Sequence, residues 1–349
     1  MRRTEHINIP VFVPHLGCPH NCVFCNQHEI TECEEFDINS IDDTVGSFLT
    51  TEHPDTSGIQ IAFFGGSFTG IDRTLMIRIL EKAYRYISDG KVSSIRVSTR
   101  PDYIDEEVLS VLKRFRVRTI ELGIQSMSDK VLLASGRGHT ALQTENAASL
   151  IKSQGFEFVG QMMIGLPCSA PDDEMYTAAK ICEMGADAAR VYPTVVFSNT
   201  ALHRLAQTGV YTPLTTEEAA KRSAKVLRIF YKNNVDVIRI GLCETETLRN
   251  DTGVTGAYHP ALGELCINEY YRVIIEESLK RINISDDSDI TVYCSNGSLS
   301  KVIGQKKRNR KWIEDNYPVR SLQFKESEEV KDKDIKISVK ENANAPTVT

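Results

Sequence analysis

The chain has 349 residues, 41% of them hydrophobic and 25% charged, and a formal net charge of −6. That balance suits a folded protein with room for one large α/β domain and a small second one, and it excludes whole-molecule attraction to a polyanion while leaving a local basic patch open. Two arginines at the N-terminus precede no sustained apolar stretch, and no run approaches the roughly 20 apolar residues that span a bilayer, so a cytoplasmic protein with no membrane segment is expected.

The first strand expected is "IPVFVP" (9–14), and the run "GCPHNCVFCNQ" follows it directly. Cys18, Cys22 and Cys25 alternate there with Pro19, His20 and Asn21, unlike isolated core cysteines. Three thiolates within eight residues suit one metal centre. A structural zinc needs a fourth ligand, which His15, His20, His28 or Cys33 could supply. A [4Fe–4S] cluster held by three cysteines instead keeps one iron open. A disulfide is disfavoured, because nine cysteines without a secretory signal point to a reducing compartment.

Further β-branched or aromatic runs lie at 59–65, 94–99, 119–125, 157–165 and 188–195, alternating with helical patterns at 72–88, 104–115, 128–134, 141–154 and 171–184. Asp72 and Asp105 are placed as helix N-caps. Six β–α units in series predict an α/β fold with a parallel sheet. Polar and glycine motifs at the strand C-termini favour a partial (β/α)6 TIM-like barrel over an open doubly wound sheet, because barrels collect their sites there.

Those motifs come in order. Gly65 and Gly66 end the second run, where paired glycines let backbone approach a ligand, and Ser67 follows. "STRPD" puts Ser98, Arg100 and Asp102 at or past a strand end; Arg100 could pair with a carboxylate, and Asp102 is expected to cap the next helix. In "ELGIQS", period-two alternation puts Glu121, Gly123 and Gln125 on one face, where buried polar groups need a partner or a ligand. Arg137 and His139 follow in "GRGHT". Met162 and Met163 read as core filler, and Tyr192 and Tyr258–His259–Pro260 as pocket residues.

In these residues the chain resembles the radical S-adenosylmethionine (SAM) superfamily, in the branch related to the Elongator catalytic subunit. The C-x3-C-x2-C spacing, "FFGGSFTG", "STRPDYID", "LGIQSMSDKVL", "GRGHT" and "YPTVV" carry the resemblance in that order over residues 5–260. It implies a [4Fe–4S] cluster on the three cysteines, SAM chelated by the open iron, and an electron donor such as flavodoxin or ferredoxin whose electron yields a 5′-deoxyadenosyl radical. It implies that Phe24 lies against the adenine, that Gly65, Gly66 and Ser67 receive the SAM ammonium on a backbone carbonyl, and that Gln125 and Arg137, with Arg100 nearby, contact the ribose or carboxylate. Ser67 stands where many members carry Glu, and Gln161 where coproporphyrinogen oxidases commonly carry an acidic residue. No side chain is given a catalytic role.

The pattern breaks over 241–264, read as a connector or site cover after a barrel at 1–240. A compact unit follows at 265–325: a helix, a strand, a short helix, the loop "GQKK", a second helix and a strand. Residues 300–311 hold six basic side chains and no acidic one. The helix–GQKK–helix junction resembles the K-homology (KH) module, which clamps RNA backbone with a GXXG loop. Gly304 matches the first glycine and Lys307 replaces the second, with Lys306, Lys307, Arg308 and Arg310 as phosphate contacts. The charged tail 326–349 is expected to be disordered. The leading expectation is therefore a radical SAM enzyme acting on RNA by tRNA modification; its competitors are a radical SAM enzyme on a small molecule such as a porphyrinogen and a metal-stabilised RNA-binding protein without catalysis.

Overall fold

The computed structural model describes residues 7–13, 18, 22–25, 36–50, 56, 58–242, 254–285 and 288–340. Seven parallel strands form its main sheet: β1 (Ile7–Val13), β2 (Ile59–Gly65), β3 (Ser94–Thr99), β4 (Val117–Gln125), β5 (Glu157–Ile164), β6 (Ala188–Pro193) and β8 (Asp236–Ile240), in that spatial order. The intervening helices are α1 (Ser40–Leu49), α2 (Arg73–Ser88), α3 (Glu106–Arg114), α4 (Asp129–Ala134), α5 (Ala141–Ser153), α6 (Pro171–Glu183), α7 (Ala201–Gln207) and α8 (Thr216–Lys232). The result is a half-barrel, one strand larger than the six-unit expectation. β8 escapes a sequence reading because "DVIRI" is short and carries two charges.

Alternation explains the two faces. Ile9, Val11, Ile61, Phe63, Ile95, Val97, Ile120 and Leu122 are buried in one core with the apolar stripes of the helices. In α2 that stripe is Met76, Ile79, Leu80, Ala83 and Ile87, spaced three and four apart behind the Asp72 cap. Each fully buried aliphatic side chain there contributes about 1.5–3 kcal/mol. The opposite face carries Arg96, Glu121, Arg190 and Tyr192, so the barrel interior is polar. Met162 packs in the core, while Met163 on the other face is half-buried.

A second core joins α8 to the C-terminal unit through Ala224, Leu227, Tyr270, Ile274, Ile290 and Val292. That unit comprises α9 (Leu262–Leu279), β10 (Asp289–Cys294), α10 (Leu299–Ile303), α11 (Arg308–Asn316), β11 (Ser321–Glu326) and β12 (Ile335–Lys340). β10 pairs parallel with β11 and antiparallel with β12. The expectation of disorder from residue 326 is thus corrected: the charges of "IKISVK" hide an alternation of Ile335, Ile337 and Val339 that packs on this core. Residues 341–349 lie outside the described residues. Of the expected connector, 243–253 also lie outside them; β9 (Thr255–Gly256) pairs antiparallel with β7 (Val195–Val196), and α9 starts at Leu262. No helix among the described residues is long and apolar enough to cross a membrane.

Candidate functional site

The strand C-termini converge on one rim of the half-barrel. At the end of β2, Gly65 has φ +125°, and a Cβ there would lie 2.1 Å from the Val13 carbonyl oxygen, so only glycine fits. Beyond it, hydroxyls tie β2 to β3. Ser67 Oγ and Thr69 Oγ1 lie 2.8 and 2.5 Å from Thr99 Oγ1, and the Thr69 hydroxyl donates to the Tyr103 carbonyl at 2.7 Å. Ser67 Oγ also accepts from the Arg100 N–H at 3.3 Å.

Arg100 is 2% exposed and donates twice to Asp102, at 2.9 and 2.8 Å, and once to the Arg137 carbonyl at 2.7 Å. Asp102 therefore does not cap the following helix, as the sequence suggested; Asp105 does, accepting from the Val108 N–H at 2.7 Å. Burial raises the Asp102 pKa, but the Arg100 guanidinium outweighs it and holds the carboxyl below its ordinary range. Most of the Arg100 fork is committed within the protein, leaving Nη1 without a partner among the described residues.

Arg137 bridges two motifs. It donates to the Gly123 carbonyl at 2.7 Å and leans on Cys22 Sγ at 3.5 Å. A Cβ on Gly123 would sit 2.8 Å from Arg137 Nη2 and 3.1 Å from Gln125 Nε2, so this glycine makes room for both side chains. Gln125 itself takes φ +66°, a strained conformation for a non-glycine residue. His139 is 4% exposed, and its pKa is pushed down to about 3, first by burial and then by Arg137 and Arg100.

The cysteine loop is pinned from two sides: the Val23 N–H donates to the Ser135 carbonyl at 3.0 Å, and the Val23 carbonyl accepts from the Leu202 N–H at 2.7 Å. The Cys25 N–H turns back to the Cys22 carbonyl at 3.0 Å. Phe24 packs with Val196, Leu202 and Tyr211, anchoring the loop on α7. Burial raises the Cys18 pKa, opposed by the Ser67 N–H and by Arg100 and Arg137. Among the described residues, no three His, Cys, Asp or Glu side chains converge on a point that could hold a metal ion. The donor set is nonetheless three soft thiols set beside N–H and guanidinium groups, which suits a thiophilic metal or cluster rather than a hard cation. Around the loop, Arg100 Nη1, Gln125 Oε1, Arg137 Nε and both His139 nitrogens are buried without hydrogen-bond partners among the described residues, matching a polar ligand with donors and acceptors.

Deeper in the barrel, Glu121 finds the partners its alternation called for, in a network whose arginines sequence reading missed. Glu121 Oε2 takes Arg96 at 2.7 Å and Arg190 at 3.1 Å, and Arg190 donates to the Tyr192 hydroxyl at 3.1 Å. The signal was present: "SIRVST" and "AARVYP" alternate in the same way as "ELGIQS". His259 forms a local turn, its Nδ1 accepting from the Ala261 N–H at 3.0 Å.

The basic turn lies on the C-terminal unit. Gly304 has φ +80°, and Lys306 and Lys307 both take left-handed backbone, with φ +54° and +59°. The turn is held by Asn268, which accepts from the Gln305 N–H at 2.8 Å, and by Asn309, which donates to the Asn268 carbonyl at 2.8 Å. Lys306, Lys307 and Arg308 are exposed and Arg310 half-buried. Arg308 pairs with Glu217 and Arg310 with Glu314, both at 2.9 Å, so the four expected phosphate contacts are not equally available.

Residues 12–176 match the model of the Radical SAM superfamily, and residues 186–272 that of the Radical_SAM C-terminal domain. Elongator complex protein 3 of Dictyostelium discoideum is 26% identical over 256 residues, covering 62% of this chain and 46% of that protein. The tRNA uridine(34) acetyltransferase of Methanocaldococcus jannaschii is 26% identical over 187 residues, covering 48% and 34%. The chain thus spans about half or less of these relatives' length. Among solved structures, archaeal Methanocaldococcus infernus Elp3 superposes with a TM-score of 0.62 at 22% identity, over 79% of this chain and 64% of that one.

Proposed function

The chain belongs to the radical SAM superfamily, and on that premise we propose that this enzyme holds a [4Fe–4S] cluster on Cys18, Cys22 and Cys25, binds SAM beside it, and modifies RNA, with tRNA as the substrate. The observation that carries the reading is the gathering of four buried side chains with unpartnered polar atoms around the cysteine loop. Cluster and SAM together supply one-electron cleavage of a sulfonium C–S bond, fed by a flavodoxin- or ferredoxin-type donor.

The protein's part is placement. Arg137 spans Cys22 and Gly123, so one side chain sets the thiol relative to the β4 end. Gly65, Gly66 and Ser67 offer backbone at close range. Gln125, Arg137 and the remaining Arg100 Nη1 offer hydrogen bonds to ribose and carboxylate, while Phe24 seats the loop. Burial of this rim limits water around the reacting groups. The RNA half is supported by the tRNA activity for which relatives are named and by the exposed Lys306–Lys307 turn.

The test is anaerobic turnover with reductant, SAM and bulk tRNA after cluster reconstitution. The wild-type chain should bind iron and sulfide and form 5′-deoxyadenosine faster with tRNA, whose mass should change; the Cys18→Ala/Cys22→Ala/Cys25→Ala variant should do neither. A full cluster in that variant would sink the cysteine assignment. Cleavage indifferent to tRNA, with no change in tRNA mass, would sink the RNA half.

A further inference from the structure

The concave face beneath the rim carries charge that the cofactor site does not use. Arg96 on β3, Arg190 on β6 and Arg239 on β8 stand there with Glu121 on β4, and the register brings Arg190 beside Arg239. Three guanidinium groups against one carboxylate leave two positive charges in excess. Glu121 is already shared by Arg96 and Arg190. Arg239 donates through Nε to the Gly241 carbonyl at 3.1 Å and has no carboxylate partner among the described residues. Arg96 is 3% exposed, and its Nε has no acceptor among the described residues. Burying cations without a matching anion is unfavourable, so this cleft suits an anionic ligand.

The opposite wall is aromatic. Phe12 and Phe64 are register partners on β1 and β2, facing away from the helix-covered core. The Arg190 guanidinium lies 5.3 Å from the Phe64 ring centroid, while Phe12 remains 46% exposed. Guanidinium groups bind phosphate oxygens in pairs, and an open aromatic face stacks a base. The Tyr192 hydroxyl accepts from Arg190 and keeps its own proton to donate.

We infer that the concave face is a nucleotide subsite, in which Arg190 and Arg239 hold a phosphate and Phe12 stacks the base. The inference rests on the RNA reading above and extends it to named residues.

Calorimetric titration of the full chain without SAM, using uridine monophosphate and uridine as probes, tests it. Uridine monophosphate should bind about tenfold or more tightly than uridine. The Arg190→Gln/Arg239→Gln variant should erase that difference, and Phe12→Ala should weaken both probes alike. Glu121 keeps Arg96 in the double variant, and thermal melts check that it folds. Absence of measurable uridine monophosphate binding, equal binding of the two probes, or a phosphate preference that survives the double variant would overturn the subsite. Filter binding of bulk tRNA run alongside separates the two claims: discrimination without tRNA binding leaves the subsite standing and removes the RNA reading, whereas tRNA modification without discrimination does the reverse.

Discussion

At the scale of single residues, the rim is built by backbone freedom and by buried charge. Gly65 and Gly123 matter for different reasons: one cannot carry a Cβ because backbone lies in its way, while a Cβ on the other would push aside the side-chain ends of Arg137 and Gln125. His139 adds a titration. Its pKa of about 3 in the folded chain lies below its ordinary value near 6.5, so the unfolded chain takes up a proton that the folded one refuses. The stability this gives is complete above about pH 6.5 and is lost as pH falls toward about 3, by up to about tenfold in the folding equilibrium per pH unit. His139→Gln should lose that pH dependence. Urea midpoints at about pH 7 and about pH 5 check it, and equal drops in the two proteins would refute the assignment.

At the scale of elements, local signals placed the strands and helices that obey one strong period. Asp72 and Asp105 sit where N-caps were expected. Elements without that clarity were invisible: α1 carries two aspartates and a glycine, and β12 is half lysine and serine. α8 is the element that links the two cores, and it begins with a capping box in which Thr215 Oγ1 accepts from the Glu218 N–H at 3.2 Å and Glu218 accepts from the Thr215 N–H at 2.9 Å. Thr215→Ala should lower stability by about 1 kcal/mol, measured by urea unfolding. No change in midpoint would mean that packing alone holds this helix end.

At the scale of the whole molecule, the half-barrel and the C-terminal unit share α8, so the basic turn is carried on the same framework as the rim. Lys306 and Lys307 are exposed and free of carboxylate partners among the described residues, unlike Arg308 and Arg310. Lys306→Glu/Lys307→Glu should therefore leave the melting temperature nearly unchanged, weaken tRNA binding, and reduce the log–log salt slope by about 2. An unchanged slope would remove this turn from the RNA interface.

The sequence by itself determined the barrel class, the cysteine triplet and the motif at each strand end, because these depend on spacing and on period-two alternation along short stretches of chain. Only the tertiary structure decided what those residues face. Asp102 reads as a cap until Arg100, two residues away, is seen to fold back on it, and Glu121 reads as a buried group in need of a partner until three strands bring Arg96 and Arg190 within 3.1 Å of it. Side-chain partners across a sheet are set by register, and register is a property of the assembled strands rather than of any one of them.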